Sequence, residues 1–150
     1  MTCCMCLTSK EKWEIIKKTQ IWGVPKRNQK NIEHMKIGDK CLIYVRQYKI
    51  GNEFIDPTIV GDYVVDSEVF FDQTKIFADP ENKFNQEIFP YRIKLKKGKN
   101  IKNPIDFRQL IPKLSFITNK KNWASHLQGY PARKIPDEDY KLILSNDGLE

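Results

Sequence analysis

Residues 35–46, Met-Lys-Ile-Gly-Asp-Lys-Cys-Leu-Ile-Tyr-Val-Arg, give the clearest indication of the fold. The first part is typical of a turn, in which Gly38 supplies the permissive backbone. From Lys40 to Tyr48 the side chains alternate as they do in a strand, with residues 41, 43 and 45 on one face and residues 42, 44 and 46 on the other. The stretch therefore predicts a turn that leads directly into a strand.

Further strands are predicted on both sides of this segment. Cys3 to Leu7 is a short apolar run that is typical of a buried strand. Thr58 to Val69 is the longest β-branched and aromatic stretch, and Gly61 interrupts it, so we expect a bulge or a bend there. Tyr91 to Lys97 alternates between apolar and basic residues and predicts a half-exposed strand.

Helices are predicted between and after these strands. Thr8 as N-cap and Glu11 three residues later form a capping box, so residues 9 to 18 should be helical. The remaining predicted elements are a helical turn at residues 31–35, an irregular surface segment at 72–89, a helix at 106–111, a short strand at 115–118, a helical turn or loop at 119–127 and a final helix from Pro136 to about Leu144. Because helices and strands do not alternate regularly, the sequence predicts an α+β fold, in which helices decorate a curved, partly closed sheet. Residues 1–150 are expected to form a single domain.

Composition favours a polyanionic partner. The 150 residues include 26 Lys and Arg against 19 Asp and Glu, a formal net charge of +7. Such an excess is typical of nucleic-acid-binding proteins. The apolar start, residues 1–7, is too short for a secretory signal, and no stretch approaches the roughly 20 apolar residues that cross a bilayer. We therefore expect a cytoplasmic protein with no membrane partner.

Known catalytic and metal-binding motifs are missing from the sequence. Cys3 and Cys6 form one C-x-x-C without a second ligand pair, so we expect buried, reduced cysteines and no metal site. The sequence has no phosphate loop, no dinucleotide fingerprint and no nucleophile elbow, and its two histidines are His34 and His126. We predict a non-catalytic protein that needs no cofactor.

Trp22 is the strongest candidate for a binding residue. It lies in Ile21-Trp22-Gly23-Val24-Pro25 and is followed by the cations Lys26 and Arg27. A flat ring on a non-helical segment beside positive charge suits base stacking, and Gly23 would let a ligand approach the backbone. The alternative, a core tryptophan between helix and sheet, is equally compatible with the sequence.

A second group of candidates lies near Trp123. The segment 119–126 is polar and basic around this one large ring, so Trp123 could form a pocket wall, with Asn119 and His126 hydrogen-bonding a base edge. The alternative is a ring that anchors a loop to the core. Trp13 shares helical spacing with Ile16 and is expected in the core. Lysines could also follow phosphates, namely Lys94 and Lys96 on one strand face, and Lys120 and Lys121.

Several segments, taken together and in their order along the chain, resemble the EVE domain family of the PUA-like superfamily. This family is related to the YTH domains that read methylated adenine in RNA. The segments are residues 3–13, 21–25, 35–44, 59–61, 89–93, 117–123 and 135–140. The resemblance implies a PUA-like pseudo-barrel of mixed strands with helices packed around it. It also implies a pocket near the first helix that takes a flipped, modified base of RNA or DNA.

The resemblance places residues in that pocket by position. Trp22 matches the aromatic that forms a cage wall in YTH domains, Gly23 matches its neighbour, and Ser9 falls at the polar position after the first strand. YTH domains have a second cage aromatic, and its position falls here near Leu95, which is not aromatic. Trp123, Phe116 or Tyr91 could take its place. The complete expected base pocket is Ser9, Trp22, Gly23, Val24, Tyr91, Phe116, Asn119, Trp123 and His126, and the expected phosphate contacts are Lys26, Arg27, Lys94, Lys96, Lys120 and Lys121.

Two other functions remain open at this point. The same fold could hold a free nucleoside or another small planar or anionic metabolite. Alternatively, the chain could be an RNA-processing enzyme of the wider PUA-like group, with His126 or Lys120 as acid–base groups.

Overall fold

The computed structural model describes residues 2–78, 87–128 and 130–146, without the side chains of His126 and Gln128. The strands are β1 Cys3–Thr8, β2 Ile21–Val24, β3 Lys40–Val45, β4 Tyr48–Ile50, β5 Glu53–Ile55, β6 Thr58–Val65, β7 Phe70–Phe71, β8 Tyr91–Lys97, β9 Ile105–Asp106 and β10 Ala132–Ile135. The α-helices are α1 Lys10–Thr19, α2 Gln29–Ile32, α3 Trp123–Gln128 and α4 Asp137–Ser145, and 3-10 helices span Lys26–Asn28 and Arg108–Lys113.

One mixed sheet organises the fold. Its strands follow the order β10-β1-β3-β6-β8-β2, with β7 added to β8 and β9 added to β6. β1 and β3 are parallel, and the other pairs are antiparallel. The hairpin β4–β5 lies outside this sheet. The sheet curves into a half-barrel with helices packed around it, which confirms the predicted α+β fold of a curved, partly closed sheet.

Both faces of the central strands are covered by apolar residues. On β1, Cys3, Met5 and Leu7 belong to one core, and Cys4 and Cys6 belong to the other. Successive side chains of a strand point to opposite faces, so this division confirms that Cys3 and Cys6 face opposite ways. The 3-10 helix at residues 108–113, α3 and α4 contribute to the first core, and α1, α2 and β2 contribute to the second.

The predicted turn and bulge are both present. Gly38 adopts a φ of 96°, a region that favours glycine, and the carboxylate of Asp39 accepts the backbone N–H of Lys36 in the same turn. Ile43 pairs with Gly61 but Tyr44 pairs with Ile59, so one extra residue bulges out of β6 at this point. A Cβ on Gly61 would lie 3.0 Å from the Trp13 ring, so glycine lets α1 pack close to the bulge.

Three local predictions are corrected. The N-cap of α1 is Ser9, whose hydroxyl oxygen accepts the N–H of Lys12, whereas Thr8 is the buried last residue of β1. Residues 115–118 are not a strand, because the backbone N–H groups of Ser115 and Phe116 donate to the Asp139 carboxylate. The last strand is β10, and the predicted helix at residues 106–111 is instead β9 followed by a 3-10 helix.

Two further features are absent from the described part of the chain. None of its helices combines the length and the apolar character that spanning a bilayer requires. It contains no cluster of three or more His, Cys, Asp or Glu side chains placed to share a metal ion.

We predict that the four cysteines stay unreactive in the native protein. All four are free and buried, and burial raises the pKa of Cys4 to about 12 and the pKa of Cys6 well above its ordinary value. Since the thiolate is the nucleophile, a thiol reagent at pH 8 should react only after denaturation. Ile37→Cys, at a position that is 63% exposed, provides the reactive control. Native thiols that react as fast as this control would contradict the prediction.

Candidate nucleic-acid interface

A cavity of about 660 Å³ opens beside the N-terminus of α1. It lies where the parallel strands β1 and β3 end, since Leu7, Ser9 and Arg46 all line it. The other walls come from β2, from the 3-10 helix that follows β2, and from Phe77, Glu87 and Phe89. Ligand pockets typically enclose about 300–1,000 Å³, so the cavity has room for a nucleoside.

Two phenylalanines form the aromatic wall. The rings of Phe77 and Phe89 meet edge to face, with centroids 5.9 Å apart. Phe77 is buried and Phe89 is half-buried. The Lys12 ammonium lies 4.6 Å from the Phe89 centroid, so this ring sits beside a positive charge. Phe89 is therefore the accessible aromatic surface of the cavity.

The guanidinium of Arg92 holds this wall in place. It is completely buried, and it donates to the carbonyl oxygens of Phe89 at 2.9 Å, Ile88 at 3.0 Å and Thr74. It also donates to the Thr74 hydroxyl at 2.7 Å and stacks 5.4 Å from the Phe77 centroid. One side chain thus ties β8 to both segments that carry the aromatic rings.

Asp72 balances only part of the positive charge of the Arg92 guanidinium. The carboxylate of Asp72 lies 3.5 Å from its guanidinium. Burial lowers the pKa of Arg92, and Asp72 opposes that change. An arginine remains protonated in proteins, so the backbone carbonyls must compensate for the water that the guanidinium has lost.

Gly23 lines the cavity, but its lack of a side chain serves packing. A Cβ at this position would lie 2.8 Å from the Phe89 carbonyl oxygen and 3.0 Å from Cγ of Arg92. The space that was expected to admit a ligand is therefore filled by β8 and by the Phe89 carbonyl. Glycine allows β2 to approach the Arg92 clamp closely.

Polar groups with unused hydrogen-bonding capacity also line the cavity. Ser9 Oγ accepts the N–H of Lys12 at 3.2 Å, which leaves its own O–H to donate. The side-chain amide of Asn28 has no hydrogen-bond partner among the described residues, and this residue lines the cavity too. Together they offer one hydroxyl donor, two amide donors and one carbonyl acceptor.

Cations outnumber acids around the opening. Lys12, Arg27 and Arg46 line the cavity together with Glu11 and Glu87. Arg27 donates to Glu87 at 2.6 Å, and this pair is largely exposed. The hydrogen bond that Arg27 donates to Glu87 raises the pKa of Arg27, so Arg27 keeps its charge at any physiological pH.

The structure contradicts the expected role of Trp22 as a stacking surface. Its side chain is 1% exposed, and its indole N–H donates to the Leu7 carbonyl at 3.3 Å inside the second core. The core interpretation was therefore correct. Its neighbours Gly23 and Val24 do line the cavity, as do Ser9 and Arg27 from the expected set.

The candidates near Trp123 lie elsewhere in the fold. Trp123 packs 5.8 Å from Phe107 against the first core, and Phe116 packs there too under the guanidinium of Arg133. Asn119 Oδ1 accepts the N–H of Asn122, and Lys120 Nζ donates to the carbonyls of Ile111 and Leu114. None of these residues lines the cavity, and they form loop and core contacts instead. The His126 side chain lies outside the described residues.

Other expected contacts also lie outside the cavity. Tyr91 contacts Phe71 at a centroid separation of 5.3 Å and does not line the cavity. The exposed Lys26, Lys94, Lys96 and Lys121 do not line it either. The residues of this site that were not predicted are Lys12, Asn28, Arg46, Phe77, Phe89 and Arg92. Phe89-Pro90 lies in one of the segments that carry the family resemblance, and this was the one signal in the sequence that could have pointed to Phe89.

A family model described as the EVE domain matches residues 5–146. The chain belongs to the EVE domain family. Two similar relatives of this EVE domain are UPF0310 proteins, from Pyrococcus abyssi and Pyrococcus horikoshii. The first is 43% identical over 141 residues, 94% of this chain and 96% of the relative. The second is 45% identical over 145 residues, 95% of this chain and 97% of the relative.

Solved structures share the fold of this EVE domain at low sequence identity. Human THYN1, in complex with DNA that contains 5-methylcytosine, is 16% identical with a TM-score of 0.62, covering 100% of this chain and 99% of that chain. The YTH domain of Mmi1 is 14% identical with a TM-score of 0.58, covering 97% of this chain and 74% of that chain. The resemblance to the EVE family and the relation to the YTH fold are both confirmed.

Replacing Arg92 should strongly destabilise this EVE domain. Arg92→Met keeps the stem but leaves three partly buried backbone carbonyls without their donor, which should lower the free energy of unfolding by about 3 kcal/mol. Arg108→Met removes an exposed ion pair with Asp56 and should cost less than about 1 kcal/mol. Urea unfolding of both variants measures the difference. Equal losses would show that the Arg92 clamp is not a major source of stability.

Proposed function

We propose that this EVE domain is a non-catalytic nucleic-acid-binding module that takes an extruded, modified base into the cavity beside α1. The observation that carries the proposal is that one cavity combines the half-buried Phe89 ring with an Asn28 side-chain amide that has no hydrogen-bond partner among the described residues. A planar heterocycle needs both an aromatic surface and hydrogen-bonding groups at its edge. Human THYN1, which shares the fold, was solved with DNA containing 5-methylcytosine, and this supports the partner class.

Stacking on Phe89 would supply most of the affinity for the base. Base–aromatic stacking contributes about 1–3 kcal/mol per base. The Lys12 ammonium beside the same ring lies where the phosphate or a base carbonyl could meet it. Leu7, Val24 and Pro25 add apolar walls, against which a methyl group on the base could be buried.

Recognition of the base edge would fall to Ser9 and Asn28. The amide of Asn28 can donate and accept at once, which matches the paired donor and acceptor on the edge of cytosine or adenine. The Ser9 hydroxyl is fixed by its role as N-cap and can donate to a base carbonyl or ring nitrogen. One buried methyl is worth only about 0.8 kcal/mol, so strong selectivity needs these polar contacts as well.

The cations at the opening would hold the flanking phosphates. Arg27 and Arg46 line the cavity, and Lys26 is the exposed neighbour of Arg27. Phosphate contacts of this kind position the strand without reading its sequence. The alternative hypothesis of an enzyme that uses Lys120 is less well supported, since the Lys120 ammonium donates to two backbone carbonyls and does not line the cavity.

Titration with paired oligonucleotides tests the proposal. The probes are single strands that carry 5-methylcytosine or N6-methyladenine, each with its unmodified counterpart, at low salt. We expect one modified strand to bind more tightly than its counterpart, and Phe89→Ala to lower that affinity about tenfold or more. Phe71→Ala is the matched control, since Phe71 is an exposed aromatic outside the cavity.

Two outcomes would contradict the proposal. If no strand binds at low salt, the nucleic-acid assignment is wrong. If a free modified nucleoside binds as tightly as the strand, with no salt dependence, the cavity serves a small metabolite instead.

Glu87→Gln should raise the affinity for a single strand. The Glu87 carboxylate now holds Arg27, and neutralising it frees the guanidinium for a phosphate. We expect a gain of about two- to fivefold at low salt and a salt dependence that is steeper by roughly 0.7, the contribution of one contact. Asp56→Asn, which frees Arg108 away from the cavity, is the control. An unchanged or lower affinity for Glu87→Gln would exclude Arg27 as a phosphate ligand.

A further inference from the structure

A second cavity of about 410 Å³ lies on the other side of α1. Because an α-helix has about 3.6 residues per turn, Lys12 and Ile15 lie on one side of the buried Ile16, and Trp13 and Lys17 lie on the other. The first pair lines the base cavity and the second pair lines this one. No described residue lines both cavities, so they are separate sites that flank one helix.

Aromatic rings line the second cavity. Trp13 is half-buried and meets the buried Tyr63 edge to face, with centroids 6.3 Å apart. Both rings lie against the bulge of β6, where a Cβ on Gly61 would be 2.7 Å from Tyr63 and 3.0 Å from Trp13. Trp13 was expected wholly in the core, but its indole borders open space.

Three lysines surround these rings. Lys97 and Lys99 come from the end of β8 and the turn after it, and Lys17 comes from α1. Lys97 and Lys99 are exposed and form no ion pair with a described residue. Lys17 pairs with the exposed Glu14 at 3.0 Å, an interaction that water weakens. The Lys17 ammonium also lies 5.6 Å from the Trp13 centroid.

Asp62 is the one acid among the described residues that line this cavity, and both oxygens of its carboxylate accept hydrogen bonds. Its carboxylate accepts the Tyr140 hydroxyl at 2.6 Å and the backbone N–H of Lys99 at 2.8 Å. Its carbonyl accepts the N–H of Gly98, where a Cβ would lie 2.7 Å from the carboxylate. Asp62 therefore fixes the turn that presents Lys97 and Lys99, and its side chain is buried.

We propose that this cavity is a second nucleotide-binding site, in which a base stacks on Trp13 and its phosphate contacts Lys17, Lys97 and Lys99. An inorganic anion would leave the aromatic wall unused, and an uncharged ring would leave the lysines unused. A positively charged groove with an aromatic surface is what sequence-independent single-strand binding requires. The inference rests on the proposed function for its partner class, a nucleic acid, but it uses none of the base-cavity residues.

A charge-matched pair of variants tests the site. The probe is a fluorescent, unmodified twelve-residue oligothymidine. Lys97→Ser with Lys99→Ser should lower its affinity about tenfold and reduce the slope of log affinity against log salt by roughly 1.4, two contacts at about 0.7 each. Lys94→Ser with Lys96→Ser removes the same charge from the same strand outside the cavity and should change affinity less than twofold. Equal losses in both double variants, or no loss in either, would overturn the proposal.

Trp13 provides a second, independent readout. In a Trp123→Phe background the remaining indoles are Trp13 and the sealed Trp22, so a change in tryptophan emission on binding reports Trp13. We expect saturable quenching by oligothymidine that persists in Phe89→Ala and that requires about tenfold more oligothymidine in Lys97→Ser with Lys99→Ser. Unchanged emission at saturating oligothymidine would overturn the site. If quenching occurs but modified and unmodified strands bind equally, the base cavity fails and this site stands.

Discussion

The buried guanidinium of Arg92 is the interaction on which the rest of the site depends. A charged group without water needs acceptors on most of its N–H groups, and the nearest ones are carbonyls from the two segments that flank β7 and β8. By meeting this need, the chain fixes Phe77 and Phe89 beside the cavity. Gly23 belongs to the same arrangement, because only a residue without a side chain lets β2 approach Arg92 and Phe89. A structural requirement of the interior thus shapes a surface that can bind a planar ligand.

Because both faces of the central strands are buried, the aromatic wall of the cavity comes from residues outside the strands. β1 and β3 are buried on both faces, and the half-barrel needs large side chains to fill its inner core. Trp22 fills part of that space and hydrogen-bonds β1, so its ring is not available to a ligand. The residues just beyond it, where β2 ends, are free to line the cavity. Binding groups therefore collect at the end of the sheet, at the carboxyl ends of β1 and β3, rather than on its faces.

Much of the fold followed from the sequence, and less of the site did. β3, β8 and the bulge at Gly61 were predicted because alternation and a single glycine are local signals. β10 was missed because its four residues gain their strand character from pairing with β1. Trp22 could not be assigned, since a core indole and a stacking indole have the same sequence neighbours. Arg92 lies in an alternating strand whose pattern predicts exposure on the charged positions, and only tertiary contacts bury it.

Contacts between a bound modified nucleotide and the protein show whether the base enters the cavity beside α1. Isotope-filtered nuclear Overhauser measurements on the complex identify which side-chain protons lie within a few ångströms of the base. We predict contacts from the base protons to the rings of Phe89 and Phe77 and to the Asn28 side-chain amide. Contacts to Trp123 and Phe116 instead, with the Phe89 ring unperturbed, would contradict it.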